Sequence, residues 1–392
     1  MILTALTALL AAQAAEPTEE AVRIAQETII VDGHVDVPHR VQSSGEDVGL
    51  ATEKGDFDHP RAMKGGLNAP FMSIYVSADY QETGGAKAEA DRLIGLVEGI
   101  VHQHPDKFEI AKSVRDVRRI TKAGKIALPL GMENGAPIEG DLENLEHFYD
   151  RGIRYITLTH SKVNHISDSS YDEERRWGGL SPFGFMLIEA MNDRGVMVDV
   201  SHISDEAFDD VMATTRAPVI ASHSSLRHFT PDFERNMSDD MVRRLGENGG
   251  VIMINYGSSF LTPEPSKWSS ARSEAYNDWL AEKGATHSGE RFAEFDAQYR
   301  ENNPYPYADL SDVLDHIDRA VELAGIDHVG LGSDYDGVGD SLPTGLKDAS
   351  TMPNLVQGLL DRGYSEEDAK KILSGNALRV WEEVEKATRR RR

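Results

Sequence analysis

Histidine and acidic residues in this 392-residue sequence repeatedly follow short apolar runs, where their side chains could bind a metal ion. The first case is Ile29-Ile-Val-Asp-Gly-His-Val-Asp36, in which a β-branched run ends in His34 and Asp36. Alternate residues of a strand point to the same face, so this imidazole and this carboxylate face one point. The pattern predicts half of a metal site. A capped turn, with Asp36 bonded to backbone and His34 exposed, is the alternative.

Five more apolar runs end in residues of the same types. They lead into Gly131-Met-Glu133, Thr159-His160-Ser161, Val200-Ser-His202, Ser222-His223-Ser-Ser and Gly332-Ser-Asp334-Tyr-Asp336. Taken singly, such residues also occur as helix N-caps or as hydrogen-bonded loop histidines. Six repeats of one placement favour a shared site, which requires a fold that brings the ends of these runs together.

Apolar, β-rich runs alternate with segments of helical periodicity along the chain. The predicted strands are 28–31, 71–76, 126–131, 153–158, 196–200, 218–221, 250–254 and 328–332. The predicted helices are 86–103, 142–151, 182–194, 205–214, 239–247 and 310–324. Eight strands with crossover helices predict a closed (β/α)8 TIM barrel. Catalytic groups of such barrels project from the C-terminal ends of the strands, which is where the six sets of polar residues lie.

We assign residues 24–387 to one barrel domain, with an insertion at 257–309 after the seventh strand and a basic tail at 388–392. Phe292, Phe295 and Tyr299 have helical spacing, so the insertion should contain at least one helix. Because it follows a barrel strand, it should lie over the catalytic face. A segment of this length can be a lid or binding loop, and a dimer contact or decoration is equally compatible with the sequence.

The composition limits the chemistry and the partners. There are 41 Lys and Arg against 66 Asp and Glu, which gives a net charge of −25 and argues against nucleic acid or an anionic membrane as a partner. The chain has no cysteine, so disulfides are excluded and a transition metal would need His and carboxylate ligands.

The N-terminus resembles a secretory signal peptide over residues 1–14. Met1-Ile-Leu-Thr-Ala-Leu-Thr-Ala-Leu-Leu is apolar, and Ala12-Gln-Ala14 has the small-x-small pattern of a cleavage site. The stretch is too short to span a bilayer, and no other segment approaches about 20 apolar residues. We therefore expect export, to the periplasm or outside the cell.

The ligand-type residues are too many for one tetrahedral ion. His34, Asp36, Glu133, His202 and His223 supply three imidazoles and two carboxylates, which are ligands that zinc accepts. If Glu133 bridges, His34 and Asp36 serve one ion and the other two histidines serve a second. Two such ions hold a hydroxide between them and polarise a carbonyl, which predicts metal-assisted hydrolysis. Asp334 is then placed to accept the water's proton and return it to the leaving amine.

Seven motifs in order resemble those of the membrane (renal) dipeptidase family, past about residue 24. They are Asp32-Gly-His34-Val-Asp36-Val-Pro, Gly131-Met-Glu133-Asn-Gly, Leu158-Thr-His160-Ser, Asp199-Val-Ser-His202-Ile-Ser, Ala217-Pro-Val-Ile-Ala-Ser-His223-Ser-Ser, Arg235-Asn-Met-Ser-Asp-Asp and Gly330-Leu-Gly-Ser-Asp334-Tyr-Asp-Gly. The resemblance implies a barrel of the metal-dependent amidohydrolase type with two zinc ions per chain, bridged by a glutamate that corresponds to Glu133. It implies hydrolysis of dipeptides.

The resemblance also implies roles for two further residues. His160 would contact the scissile carbonyl or its oxyanion, as an imidazole can. Arg235 would bind the substrate's C-terminal carboxylate, because a guanidinium fork suits that group. A surface salt bridge with Asp239 or Asp240 is the alternative for Arg235.

Other functions share the metal hydroxide and stay open from sequence. They include hydrolysis of N-acyl amino acids, lactones or β-lactams, and a periplasmic metal-binding or solute-binding protein without catalysis. A purely binding site would need neither Asp334 nor His160. The expected partner is a small dipeptide substrate. The family suggests a homodimer, and the basic C-terminal residues give no lipid-anchor signal, so we expect no stable membrane anchor.

Overall fold

The computed structural model describes residues 16–389, and its centre is a closed barrel of eight parallel strands. The barrel strands are β1 (Ile30–Val35), β2 (Leu67–Tyr75), β5 (Leu130–Glu133), β6 (Ile153–Thr157), β7 (Met197–Asp199), β8 (Ile220–Ala221), β9 (Val251–Ile254) and β10 (Val329–Leu331). A second, two-stranded sheet pairs β3 (Phe108–Ile110) with β4 (Ile126–Leu128). The predicted barrel is confirmed. The signal-peptide prediction for 1–14 and positions 390–392 of the basic tail lie outside the described residues.

One predicted strand is two strands in the structure. Residues 126–131 divide at Pro129, with β4 in the small sheet and β5 in the barrel. Proline has no N–H to donate to a strand ladder, so it separates the two pairings. The β5 strand pairs with β2 and β6 and carries Glu133 as its last residue, opposite Tyr75 and Thr157.

Helices surround the barrel and cover its outer face. They are α1 (Glu19–Glu27), α2 (Val37–Ser44), α3 (His59–Gly65), α4 (Asp79–Thr83), α5 (Ala86–Gln103), α6 (Val114–Lys122), α7 (Leu142–Arg151), α8 (Pro182–Arg194), α9 (Asp205–Thr214), α10 (Asp239–Glu247), α11 (Ser258–Leu261), α12 (Glu264–Lys283), α13 (Gly289–Asn302), α14 (Leu310–Ala324), α15 (Met352–Asp361), α16 (Glu366–Lys370) and α17 (Asn376–Arg389). A π-helical turn, Lys371–Gly375, joins α16 to α17. The helices begin where the sequence supplies caps. At α8, for example, the Ser181 side chain accepts the N–H of Gly184, and Gly195 ends the helix with a φ of 85°.

The barrel interior is closed at the N-terminal ends of its strands by α17. Trp381 of this helix is 1% exposed and its ring lies 5.2 Å from that of Phe71 on β2. Val31 and Val251, near the starts of β1 and β9, belong to the same apolar cluster. Because this end is filled, only the C-terminal end of the barrel is left for a site.

Segment 257–309 contains the three helices α11, α12 and α13, and the helix predicted from Phe292, Phe295 and Tyr299 is α13. Helices α12 and α13 pack their aromatic residues against each other, with Tyr276 and Phe295 rings 5.2 Å apart. Of these three helices, α11 lines the cavity at the mouth of the barrel, through Ser259 and Phe260. Among residues 16–389, no helix has the length and apolar character needed to cross a membrane.

Candidate metal centre

The structure brings all the predicted ligands together at the C-terminal end of the barrel. His34 lies in β1, Glu133 ends β5, and the others follow β1, β7 and β8 within a few residues. Each of the five predicted ligands is at most 6% exposed: His34, Asp36, Glu133, His202 and His223. The capped-turn alternative for the first motif is wrong, because His34 is fully buried and the Asp36 side chain makes no cap bond to the start of α2.

Glu133 stands at the centre of the cluster, and its two oxygens face different partners. Oε2 lies 3.4 Å from Nε2 of His34. Oε1 lies 3.1 Å from Nε2 of His202 and 3.4 Å from Nε2 of His223. On the other side of His34, Asp36 Oδ2 is 3.4 Å from Nε2. One carboxylate therefore separates a His–Asp pair from a His–His pair, as a bridging ligand would.

The contacts within this cluster fit bound cations. Nε2 of His202 and Nε2 of His223 are 2.9 Å apart, a distance that two imidazole nitrogens tolerate only with a proton or a cation between them. Nε2 of His34 and Oδ1 of Asp36 are buried and have no hydrogen-bond partner within residues 16–389. Buried polar atoms without partners are costly, and metal coordination would satisfy these ones. Three overlapping groups of ligand atoms can hold an ion: His34–Glu133–His223, Glu133–His160–His202 and His34–Asp36–Asp334.

A hydrogen-bonded chain fixes the tautomer of His223. The Ser222 hydroxyl donates to Oδ2 of Asp199 at 2.6 Å, and Oγ of Ser222 lies 2.7 Å from Nδ1 of His223. A hydroxyl has one proton, so Ser222 must accept from Nδ1–H of His223. That leaves Nε2 of His223 with a free lone pair facing Glu133, which is the form that binds a metal.

A second pair of hydrogen bonds orients the His34 ring in the same way. The Tyr155 hydroxyl donates to the carbonyl of Gly33 at 3.0 Å and lies 2.9 Å from Nδ1 of His34. By the same count, Tyr155 accepts from Nδ1–H, and Nε2 of His34 is left as the ligand atom. Tyr155 lies on β6, across the barrel from β1, so this orientation depends on barrel closure.

Burial and mutual repulsion set the charges of the site. Burial, with a contribution from the nearby Arg235 charge, holds the pKa values of His202 and His223 well below their usual range, so both imidazoles are neutral. Burial alone would raise the pKa of Glu133, but the positive charge of His34 and hydrogen bonds from His202 and His223 hold it well below its usual range. Burial would lower the pKa of His34, but Tyr155, Glu133 and Asp36 raise it well above its usual range. His202, His223 and the ionised Glu133 are therefore ready to bind a metal, and a cation beside His34 would take the place of its proton.

Asp334 follows β10 and faces the same cluster. Its Oδ2 accepts a 2.8 Å hydrogen bond from the side-chain amide of Asn255, which follows β9. Burial, together with the charge of Asp36, raises the pKa of Asp334 to about 7. Asp334 has a φ of 61°, and a Cβ at Gly337 would collide with its carboxylate and that of Asp36. Only glycine at 337 therefore leaves room for both carboxylates.

His160 lies on the solvent side of the ligands. Its Nε2 is 3.5 Å from Oε1 of Glu133, and its ring lies 4.3 Å from that of His202 and 4.8 Å from that of Tyr75. Burial lowers the pKa of His160, so its imidazole is neutral at pH 7 and one ring nitrogen can donate a hydrogen bond.

Arg235 lies in the loop between β8 and α10 and is 2% exposed. Its Nη1 donates to the Ser224 hydroxyl and its Nη2 to the carbonyl of His223, both at 2.7 Å. Nε has no partner, and within residues 16–389 no carboxylate forms an ion pair with this guanidinium. The alternative of a surface salt bridge is wrong, because Arg235 is buried and Asp239 pairs with Arg319.

A cavity of about 680 Å³ opens above the cluster. Its lining includes Asp36, His39, Tyr75, Glu133, His160, Ser161, Lys162, Tyr171, His202, Ser259, Phe260, Asp334, Asp336, Gly337, Val338 and Ser341. A larger cavity of about 850 Å³ lies beside it between the loops after β2, β5 and β6, and the two share Lys162. The smaller cavity contains the chemistry, because ligand-type side chains line it and none of the five predicted ligands lines the larger one.

Four residues of the site were not singled out from the sequence. Ser222, Tyr155 and Asp199 orient ligands, and Asn255 holds Asp334. Asn255 directly follows a barrel strand, so the strand-end rule could have found it. Tyr155 lies in the middle of an apolar strand and has the sequence pattern of a core residue.

Comparisons with known proteins agree with this geometry. The membrane dipeptidase family (peptidase family M19) matches residues 18–392. Dipeptidase aclJ of Aspergillus oryzae is 37% identical over 342 residues, which cover 86% of this chain and 71% of that protein. The probable dipeptidase PvdM of Pseudomonas aeruginosa has a similar structure, with a TM-score of 0.80, 29% identity, and coverage of 94% of this chain and 98% of that one.

A third comparison is with a metallopeptidase of Rhodobacter sphaeroides, solved with a phosphinate mimic of the dipeptide L-Ala-D-Ala. It has a TM-score of 0.75 and 23% identity, and the match covers 91% of this chain and 99% of that one. At this identity it shows the fold. With the family match over nearly the whole chain and a relative above one-third identity, the chain belongs to the membrane dipeptidase family, peptidase family M19, and is a metal-dependent dipeptidase.

Proposed function

We propose that the protein binds two zinc ions around Glu133 and hydrolyses dipeptides that have a free C-terminal carboxylate. The proposal rests on the two oxygens of Glu133, which face His34 on one side and His202 with His223 on the other. A donor set of imidazoles and carboxylates without sulfur is one that zinc accepts. When bound, such ions polarise a carbonyl oxygen and lower the pKa of water towards about 7.

Two side chains would move or place protons in this reaction. Asp334 lines the cavity beside the ligands, so its carboxylate can take a proton from the attacking water and return it to the leaving amine. Neutral His160 lines the cavity and can donate a hydrogen bond to the oxygen of the scissile carbonyl as negative charge develops there. Asn255 keeps Asp334 pointed at the cluster.

Arg235 would select the substrate's C-terminus. Its guanidinium is buried beside the ligands, has a free Nε–H and has only neutral hydrogen-bond partners, Ser224 and a backbone carbonyl. A buried cation without a counterion gains from binding an anion, since the low dielectric strengthens their attraction. The dipeptide mimic bound by the Rhodobacter sphaeroides metallopeptidase supports a dipeptide as the substrate.

The test is a substrate panel with metal analysis. We expect two zinc ions per chain and hydrolysis of free dipeptides, with catalytic efficiency lower by about ten- to a hundred-fold for the C-terminally amidated forms and for tripeptides. A third residue moves the carboxylate away from Arg235. In Arg235→Ala the preference for free over amidated dipeptides should disappear. Equal cleavage of free and amidated dipeptides by the wild type would refute the carboxylate requirement.

We further propose that the protein is exported and acts as a homodimer. The apolar run before Ala12-Gln-Ala14 supports cleavage of a leader near residue 14. N-terminal sequencing of the protein from the periplasmic fraction would locate the cleavage site, and an unprocessed cytoplasmic protein would contradict export. Sedimentation analysis would give the oligomeric state.

A further inference from the structure

Tyr171 is a large aromatic residue at the edge of the catalytic cavity. It lies in the loop between β6 and α8, lines the cavity and is 44% exposed. Its ring is 5.8 Å from the ring of His202 and 6.0 Å from that of Phe233. Tyr171 lines the space that a substrate would enter, and within residues 16–389 its phenol makes no hydrogen bond.

The loop around Tyr171 is fastened to the segment that carries Arg235. The N–H of Tyr171 donates to the Ser169 hydroxyl at 3.1 Å. Arg175 donates to the carbonyl of Ser169 at 2.8 Å and forms a 2.5 Å ion pair with Glu234, the residue before Arg235. The loop that carries Tyr171 and the segment that carries Arg235 are thus held together.

Three aromatic rings form one wall next to Arg235. The guanidinium carbon lies 5.2 Å from the centre of the Phe260 ring, Phe260 packs edge-on to Phe233 at 5.6 Å, and Phe233 contacts Tyr171. Apolar walls strengthen the attraction between Arg235 and a carboxylate that enters beside them.

Arg235 alone leaves part of a bound carboxylate without donors. Two of its five N–H groups are used by Ser224 and the His223 carbonyl. A carboxylate has about four acceptor positions, so a second donor beside Arg235 can satisfy positions that the guanidinium leaves unused. The ordinary pKa of a tyrosine is near 10, so the Tyr171 phenol keeps its proton at neutral pH and can donate it in a hydrogen bond.

We propose that Tyr171 is a second substrate-binding residue, which donates its phenol proton in a hydrogen bond to the C-terminal carboxylate held by Arg235. This inference rests on the proposed dipeptidase function and adds a residue to its substrate site. The carboxylate would be bound from two sides, by the buried guanidinium below and by the phenol of the loop above.

The test compares the Tyr171→Phe variant with the wild type on one dipeptide in its free and its C-terminally amidated form. The ring stays, so the aromatic wall is preserved. We expect kcat/KM for the free dipeptide to fall by about ten-fold, mainly through KM, and to change less than about three-fold for the amidated one, since bonds to charged acceptors are the stronger. The preference for the free carboxylate should shrink accordingly.

Tyr307→Phe is the matched control. Tyr307 is also partly exposed, its phenol donates to Asp340 at 2.7 Å, and it does not line the cavity. Its preference ratio should equal that of the wild type. An unchanged ratio in Tyr171→Phe, or equal losses on both substrates, overturns the role of the phenol while leaving the dipeptidase function intact. A wild type that cleaves no dipeptide, or has no preference to lose, instead refutes the proposed function and this inference with it.

Discussion

The Ser222→Ala substitution should weaken metal binding without altering any ligand. It removes the acceptor of Nδ1–H of His223 at 2.7 Å, so the imidazole can rotate and exchange its tautomer. Partners of this kind typically contribute ten- to a hundred-fold to metal affinity, or about 1.4 to 2.8 kcal/mol. We expect a loss in this range for the ion on the side of His202 and His223.

The Ser222→Ala substitution should disturb only the imidazole ring of His223. Asp199 would lose the Ser222 hydroxyl but keep three donors: the N–H of Ser201 at 3.1 Å, the N–H of residue 222 at 2.9 Å and the Thr157 hydroxyl at 2.5 Å. The carboxylate should therefore stay in place. The buried Nδ1–H is left without a partner, which also costs about 1 to 3 kcal/mol of stability in the metal-free protein.

The assay is a competition titration with a metal-binding dye, followed by activity at saturating zinc. Ser225→Ala is the matched control, because Ser225 is equally buried and its hydroxyl donates to the carbonyl of Asn255 rather than touching an imidazole. Ser222→Ala should bind zinc more weakly than this control and recover much of its activity when zinc is added. Equal affinities in the two variants would refute the assignment of Ser222 as the partner that orients His223.

Asp334→Asn should keep both metals and lose about a hundred- to ten-thousand-fold in turnover, and an unchanged turnover number would make Asp334 structural. Glu133→Gln should retain at most one tightly bound ion by metal analysis; full activity with two ions would contradict bridging. Burial and the Asp336 charge raise the pKa of Asp56 to about 7, so folded Asp56 holds a proton that the unfolded chain releases near pH 4. The folded protein therefore loses stability as the pH rises from about 4 to about 7. Asp56→Asn should raise Tm by a few degrees at pH 8 but not at pH 4.

The sequence predicted the barrel and the members of its site because both depend on local patterns. Each apolar run marks a strand, and the polar residue that ends it lies at the barrel mouth. The strand boundaries were less accurate. The first strand was predicted to end at residue 31, but β1 continues to Val35 because Asp32 is buried and accepts the N–H groups of His34 and Ser333. A charged residue inside a strand depends on a partner about three hundred positions away, which no local pattern contains.

The sequence did not reveal Tyr155 and Ser222, the two hydroxyl residues that orient histidine ligands. Tyr155 lies within an apolar strand and Ser222 in a strand-end turn, so the first resembles a core residue and the second a cap. Their function follows only from the direction of hydrogen bonding. Each hydroxyl donates its single proton to an oxygen that can only accept. For Tyr155 this is the Gly33 carbonyl, and for Ser222 it is the Asp199 carboxylate.

Each hydroxyl must therefore accept from Nδ1–H of the imidazole beside it, and this leaves Nε2, the nitrogen that faces Glu133, as the ligand atom on His34 and His223 alike. His202 has no such partner, since its Nδ1 is buried without a hydrogen bond within residues 16–389. It is held instead by its own backbone, with a φ of 71°, and by ring contact with His160. Hydrogen bonds at Nδ1 thus orient His34 and His223, whereas backbone conformation and ring contact orient His202. Substitutions behind His34 or His223 should consequently change the pH dependence of metal binding, whereas changes in the His202 backbone should alter affinity at every pH.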